Sequence, residues 1–471
     1  MSQRKRYALV GTGGRAVMYV DGIYESFAEH AELVGFCDVS PTRMAWHNRR
    51  LETMHHAKPV PTFTAGQFDE MIRQTRPDVV IVTSVDSTHH QYIIRAMELG
   101  CDAICEKPLA TDEGKAAAIL AAMRRTGRAL RVTFNYRYVP HATKLRELMM
   151  QHTIGTPLHV DFTWLLDTSH GADYFRRWHR DKASSGGLLV HKSSHHFDLV
   201  NWWLDASPQS VFAMGGLKFY GRKNAESRGE RYSYSRYTGQ PEARKDPFAL
   251  VLDGEHGEGV YSSHTLKGLY LDAEQDSGYV RDQNVFGDGI TSEDTMSLLV
   301  QYDSGVIMNY TLLTYAPWEG FRIGITGDKG RIELNVKHGA HIIAGQSEQE
   351  LADQQSKGNE HSLRVLPMFG IPYEVPTPTA TGGHGGSDPA LLKHLFVPEY
   401  SQAEDPFGRA AGFREGLDAI RIGIAGNRSM ETGLPVDCDQ LFSETSEAKP
   451  TITFEKHKGL RKPLQSAPAA T

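Results

Sequence analysis

The sequence predicts an α/β protein in which a doubly wound parallel sheet is followed by a second, larger domain. Three observations point there. From Tyr7 to Phe134, short apolar strands alternate with amphipathic helical stretches, the pattern of a parallel sheet covered on both faces. The first strand runs directly into a glycine-rich turn, Gly11-Thr12-Gly13-Gly14-Arg15-Ala16. At 471 residues, the chain also exceeds the size that one hydrophobic core usually serves.

Tyr7-Ala8-Leu9-Val10 reads as the first buried strand. Behind it, Gly11 allows a tight turn, Gly13 lets backbone approach a pyrophosphate, and Ala16 permits close helix–strand packing. The following helix shows Val17, Val20, Ile23 or Tyr24, and Phe27 on one face, and its N-terminus offers N–H groups to phosphates. The second strand, Leu33 to Cys37, ends at Asp38, placed to receive adenosine ribose hydroxyls and to repel a 2′-phosphate. NAD is therefore expected over NADP, although Arg43 lies close enough in sequence to blur the preference. Val79 to Thr83 is a β-branched strand, followed by a loop, Ser84 to Thr88, and a helix carrying Tyr92, Ile93, Ala96 and Met97. Next, Ala103 to Cys105 delivers Glu106-Lys107 to a strand's carboxyl end, where open parallel sheets bind ligands. Pro108 stops the ladder and restricts Lys107. A lysine so placed can hold a substrate oxygen and stabilise its developing charge; read alone, it is an exposed strand-end lysine. A helix from about Asp112 to Arg125 and the strand Leu130 to Phe134 complete the domain.

The net charge of −6 argues against nucleic acid or anionic membrane as the main partner. Met1 to Arg6 is basic, but the apolar stretch behind it is too short for a signal peptide, and no run approaches membrane-spanning length. Cys37, Cys101, Cys105 and Cys438 form no disulfide framework and suit packing. A soluble cytoplasmic protein is expected.

The glycine turn, Asp38, Thr83-Ser84-Val85-Asp86 with His89, and Glu106-Lys107-Pro108 together resemble the Gfo/Idh/MocA family. Asn135-Tyr136-Arg137 with Pro140 is similar to that family's entry into its second domain. The resemblance implies a nicotinamide-dependent oxidoreductase acting on a small-molecule sugar, glycoside or cyclitol. It implies an N-terminal Rossmann domain over 1–134 and an α+β domain over 135–448 with a large open, mostly antiparallel sheet. It also implies a homo-oligomer, dimer or tetramer, for which an apolar outer sheet face needing cover is a second reason. The implied cofactor contacts are Gly11, Thr12, Gly13, Gly14, Arg15, Ala16, Asp38, Thr83, Ser84, Val85, His89, Glu106, Lys107 and Asn135. Residues 449–471 have the composition of a disordered tail.

In the second domain, a helix around His141 to Met150 precedes the strand Leu158 to Trp164. Hairpin signals follow: Met296–Tyr302 and Val306–Leu312 flank Asp303-Ser304-Gly305, and Phe321–Thr326 and Arg331–Asn335 flank another glycine turn. The run Ser185-Gly186-Gly187-Leu188-Leu189-Val190-His191-Lys192-Ser193-Ser194-His195-His196-Phe197-Asp198 resembles the family's glycine-rich stretch leading into a helix. His195 matches the family's histidine and Asp198 a later aspartate, whereas His191 stands where the family has an aspartate. One helical turn separates His191 from His195, so both can face one cleft. Another group must then take over the missing carboxylate's role, and Lys192 is a further candidate substrate contact. His–x₃–His is also metal-ligand spacing, and a histidine is often only structural; no metal is expected. The insertion 218–295 and the hydrophilic loop 345–362 either cover the binding face or are solvated surface. The stretch Thr381 to Asp388 places His384 among glycines, either to approach the ligand or as a flexible linker. A helix from about Gly408 to Asn427, with Phe413, Leu417, Ile420 and Ile424 on one face, is similar to the family's closing helix.

The reading is an NAD-dependent dehydrogenase of a ring carbinol, at the 3-hydroxyl of a pyranoside. His195 serves as general base, Lys107 as the oxygen's partner, and Tyr136, Arg137, Trp178 and Arg180 as wall residues. The alternatives are a redox-neutral NAD-dependent glycosidase or lyase working through a transient 3-keto intermediate, an inositol dehydrogenase, and a non-catalytic nucleotide-binding sensor.

Overall fold

The computed structural model describes residues 4–252, 263–338, 359–378, 383–397 and 405–443. The expected tail, most of the hydrophilic loop at 345–362 and the start of the glycine-rich stretch lie outside them. In the first domain, β1 (Lys5–Val10), β2 (Ala31–Asp38), β3 (Thr62–Thr64), β4 (Val79–Val82), β5 (Asp102–Cys105) and β6 (Leu130–Val132) form one parallel sheet. Its order, β3-β2-β1-β4-β5-β6, reverses direction between β1 and β4. Helices cover both faces, so a strand such as Val79-Val80-Ile81-Val82 is buried throughout. The crevice at the reversal is where doubly wound sheets bind ligands. Gly11 leaves β1 there with φ +89°, and a Cβ on it would lie 2.5 Å from the Ser84 nitrogen behind β4. Only glycine lets these two loops close on each other.

The second domain is a nine-stranded sheet of β7 (Pro157–Asp167), β8 (Pro208–Gly216), β9 (Thr295–Tyr302), β10 (Ile307–Ala316), β11 (Gly320–Gly327), β12 (Gly330–His338), β13 (Asn359–Pro367), β14 (Tyr373–Glu374) and β15 (Val436–Asp437). The order is β14-β13-β12-β11-β7-β10-β9-β8-β15, with β7 and β10 parallel and the other pairs antiparallel. Both expected hairpins form. Strict alternation puts Phe162, Trp164, Leu298, Val300, Tyr310, Leu312, Ile323 and Leu334 on the inner face, under helices Ser193–Leu204 and Phe413–Thr432. The outer face corrects an expectation. Leu299 and Ile307 are about half exposed there, but they share it with Asp161, Thr163, Ser297, Asn309, Arg322 and Glu333. It is mixed in polarity, because apolar and polar residues both occupy the outward positions of these strands, so an apolar outer face gives no independent argument for assembly. Among the described residues, no helix is long and apolar enough to cross a membrane.

The closing helix starts at Phe413, five residues after the expected Gly408, and runs on to Thr432. Gly408 sits at φ +62°, and Asp405 collects the N–H groups of Arg409 and Ala410, so the chain turns before it coils. The helix then binds the domains together. Ala419, Ile420 and Ile424 enter the first domain's core, whereas Ile422 and Ala425 enter the second's. A Cβ on Gly423 would lie 2.5 Å from the Leu189 carbonyl oxygen, in the short helix Leu188–His191. Gly423→Ala is therefore expected to lose ~1–3 kcal/mol of unfolding free energy, the usual cost of overpacking, measured by urea denaturation. An unchanged midpoint would show that the two helices can separate freely.

Candidate active site

The carboxyl ends of the parallel strands bring most of the expected cofactor residues together. Asp38 is 5% exposed and accepts hydrogen bonds from Thr12 N (2.5 Å), Thr12 Oγ1 (3.0 Å) and Ser40 N (2.8 Å). In the glycine turn, Gly14 N–H donates to the Tyr270 hydroxyl at 2.9 Å. Asn135 Oδ1 is buried and accepts no hydrogen bond, while its Nδ2 donates to Asp388 (2.9 Å). A glycine turn closed against Ser84 at a helix N-terminus, the Asp38 carboxylate at the end of β2 and an unsatisfied amide oxygen together fit a dinucleotide. Arg15 Nε (2.6 Å) and Tyr19 OH (2.7 Å) both donate to Glu106 Oε1. Burial pushes the Glu106 carboxyl up, but Arg15 and Tyr19 outweigh it and hold the group below its ordinary value. His89 is placed differently from expectation. It is 1% exposed, and its ring nitrogens lie 2.8 Å from Pro108 O and 3.1 Å from Ser84 O, so it braces two loops from behind.

Lys107 enters the same crevice from the end of β5. Its Nζ lies 3.4 Å from His191 Nε2 and 3.2 Å from His191 O. On the other side of that imidazole, Nδ1 lies 2.5 Å from Asp86 Oδ2. Asp86 is 3% exposed and opens the turn behind β4. Burial lowers Lys107 to about 8, with Asp86 acting against the shift and Lys192 adding to it. Burial also drives His191 well below the ordinary histidine value, helped by Lys107 and His179, so its imidazole is neutral at pH 7. Asp86 is raised, again by burial, against the pull of Lys107 and Arg177. One donor pattern satisfies all three groups: Nδ1–H donates to Asp86, and Nε2 accepts from the Lys107 ammonium.

His195 lies one turn further along and stacks on Tyr136 with centroids 4.4 Å apart. Lys192 Nζ is 3.3 Å from Tyr136 OH and sits over the Tyr136 and Trp164 rings, at 5.5 and 5.3 Å. Trp178 stacks on His179 at 3.6 Å, and His179 in turn meets the His191 ring edge-on at 4.1 Å. Two expected wall residues serve elsewhere. Arg137 forms a bidentate pair with Asp198, at 2.8 and 2.6 Å, both side chains almost wholly buried. Arg180 donates to Asn284 O and Asp288 O, anchoring the insertion. Both look like substrate clamps in sequence; the carboxylate and carbonyls that claim them are 61 and more than 100 residues away. The glycine-rich stretch also departs from expectation. Residues Gly383–Phe396 form a helix, seated by Leu391, Leu392 and Phe396. The His384 side chain lies outside the described residues, but Asp388 reaches Asn135 and, at 3.7 Å, Arg15. The residue that sequence reasoning passed over is Asp86. It stood in the quoted motif, but only its contact with His191 gives it a task.

Two family models match the chain. The model for the oxidoreductase family's NAD-binding Rossmann fold matches residues 5–134, and that for its C-terminal alpha/beta domain matches 146–438. The Bacillus subtilis (strain 168) protein YteT, whose name marks it only as an oxidoreductase, is 35% identical over 446 residues, covering 93% of this chain and 99% of its own. The D-glucoside 3-dehydrogenase of Escherichia coli (strain K12) is 28% identical over 150 residues, 32% of this chain and 40% of its own. Among solved structures, the aldose-aldose oxidoreductase of Caulobacter crescentus, complexed with glycerol, superposes with a TM-score of 0.58 at 17% identity. That match covers 92% of this chain and all of the other, and it speaks for the fold alone.

The pair Arg137–Asp198 yields a stability prediction. Arg137→Met leaves Asp198 buried without its partner and is expected to cost ~3–5 kcal/mol, read from denaturant midpoints with an unchanged slope. A loss below about 1 kcal/mol, the range of exposed pairs, would mean that water reaches Asp198.

Proposed function

Because the chain belongs to the Gfo/Idh/MocA oxidoreductase family and is an NAD-dependent dehydrogenase, we propose that it oxidises a secondary ring hydroxyl of a sugar or glycoside, the 3-hydroxyl of a pyranoside. The observation that carries this reading is the placement of Lys107 at the crevice, held by His191 and, through it, by Asp86. Bound nicotinamide supplies the hydride acceptor. The chain's own residues handle the oxygen and the proton. Lys107 donates to the carbinol oxygen and, charged below about pH 8, stabilises its alkoxide character. His195 takes the hydroxyl proton as general base. His191 accepts from Lys107 Nζ and thereby sets where the ammonium points. The partly exposed Trp178 is the ring for the C–H side of a pyranose, and Lys192, beside Tyr136, is a donor. The relative that oxidises D-glucosides at C3 supports the choice of hydroxyl.

The test is to incubate enzyme, NAD and methyl glucosides, follow NADH, and locate the new carbonyl by NMR. A 3-keto product in step with NADH is expected. Activity confined to free inositol, or oxidation at an anomeric carbon, would defeat the proposal, and turnover without net NADH would favour the redox-neutral route. Lys107→Met should lower turnover ~10²-fold or more, and His195→Asn ~10²–10⁴-fold. The charge on Lys107 is lost as pH rises through about 8, so the oxidation rate should decline there. Lys107→Arg, charged throughout, should lack that limb. The same decline in both proteins would assign it to another group.

A further inference from the structure

Part of the insertion between β8 and β9 returns from the second domain to lie on the first. Residues 263–279 settle on the edge formed by the glycine turn and the helix Pro41–Met54. Tyr270 OH accepts from Gly14 N, Leu269 O accepts from Arg43 Nε (2.9 Å), and Arg43 lies over the rings of Tyr270 and Tyr279 at 5.6 and 5.8 Å. Gly268 packs so closely on Trp46 that a Cβ would meet its ring at 2.5 Å. At the end of this strap, Asp276 Oδ2 accepts from Ser40 Oγ (2.6 Å) and from Thr42 N (3.1 Å).

These contacts fall beside Asp38, the carboxylate placed for the adenosine ribose. A ribose 2′-phosphate is a dianion and needs hydrogen-bond donors and positive charge. Next to Asp38 such groups are few: the Ser40 hydroxyl, the Thr42 N–H at the helix N-terminus, and the Arg43 guanidinium. Asp276 takes the first two. Leu269 O takes Nε of the third, and its Nη1 lies 3.7 Å from Asp38. Burial pushes the Asp276 carboxyl up, but Ser40, Thr42 and Arg43 outweigh it and hold it ionised. Arg43 Nη2 stays buried without a hydrogen bond, a donor that an anion could use if the neighbouring negative charge were gone.

We infer that Asp276 is a specificity-determining residue: an acid from the second domain that occupies the 2′-phosphate donors of the first and so excludes NADP. The inference rests on the NAD reading of the cofactor. Selectivity then has two parts, an attractive one at Asp38 and a repulsive one at Asp276. Arg43, which in sequence blurs the NAD preference, is turned into a fastening for the strap.

Isothermal titration calorimetry with NADH and NADPH needs no substrate and separates the outcomes. The wild type should bind NADH more tightly. Asp276→Asn and Asp276→Ser, made in parallel, should shrink the NADPH/NADH ratio of Kd by ~10-fold or more, mainly through tighter NADPH binding. Asp276→Glu keeps the charge and should keep the preference. If Asp276→Asn or Asp276→Ser weakens both cofactors alike and leaves the ratio unchanged, Asp276 is only a brace and the inference fails while the NAD reading stands. If the wild type binds NADPH at least as tightly as NADH, both fail.

Discussion

The hydrogen bond between Asp86 and His191 is the contact on which the rest of the site depends. Asp86 belongs to the first domain and His191 to the second, 105 residues apart. The carboxylate fixes the orientation of the ring, and the ring's far nitrogen meets Lys107. A neutral imidazole offers one donor and one acceptor, so its use at one end determines its use at the other. The position of a lysine just beyond β5 is thus set by a helix in the other domain, and the domains must meet correctly before the site exists. The closing helix and the tight packing at Gly423 support the same registry, because the short helix that carries His191 rests on them.

Burial gives the arrangement its chemistry. An exposed lysine near a carboxylate would stay charged far above neutral pH. Lys107 is brought to about 8 because burial and the nearby Lys192 and Arg15 oppose its charge more than Asp86 and Glu106 support it. Glu106 is kept ionised by Arg15 and Tyr19, so the residue adjacent to the lysine is a fixed negative charge and takes no part in proton traffic. The aromatic layer of Tyr136, Trp164 and Trp178 keeps the surroundings of low polarity.

Much of this was legible in sequence where the determinant is local. The glycine turn, the buried strand Val79–Val82, the Glu-Lys-Pro element and the hairpins are each specified by neighbours along the chain. The failures share one cause. Arg137 and Arg180 have the residue type of a substrate clamp, and only the fold shows that Asp198 and the insertion's carbonyls claim them. His89 looks like a cofactor contact until Pro108 O and Ser84 O take its ring nitrogens. The stretch from Gly383 reads as loop because glycine and Pro389 disfavour helix, yet Leu392 and Phe396 enter the first domain's core and tertiary packing overrides propensity.

The exchange of aspartate for histidine at position 191 then has a physical account. A carboxylate at 191 would carry its own charge to the lysine. With an imidazole there, the charge is moved one ring further away, to Asp86, and is transmitted by hydrogen bonding. The lysine is left less stabilised in its charged form than beside a direct carboxylate partner, which agrees with a value as low as about 8. The same logic recurs at the other end of the crevice, where Asp276 of the insertion sits among donors of the first domain. At both ends one domain supplies the acid and the other the groups it holds, so neither the setting of the lysine nor the cofactor edge is complete within a single domain.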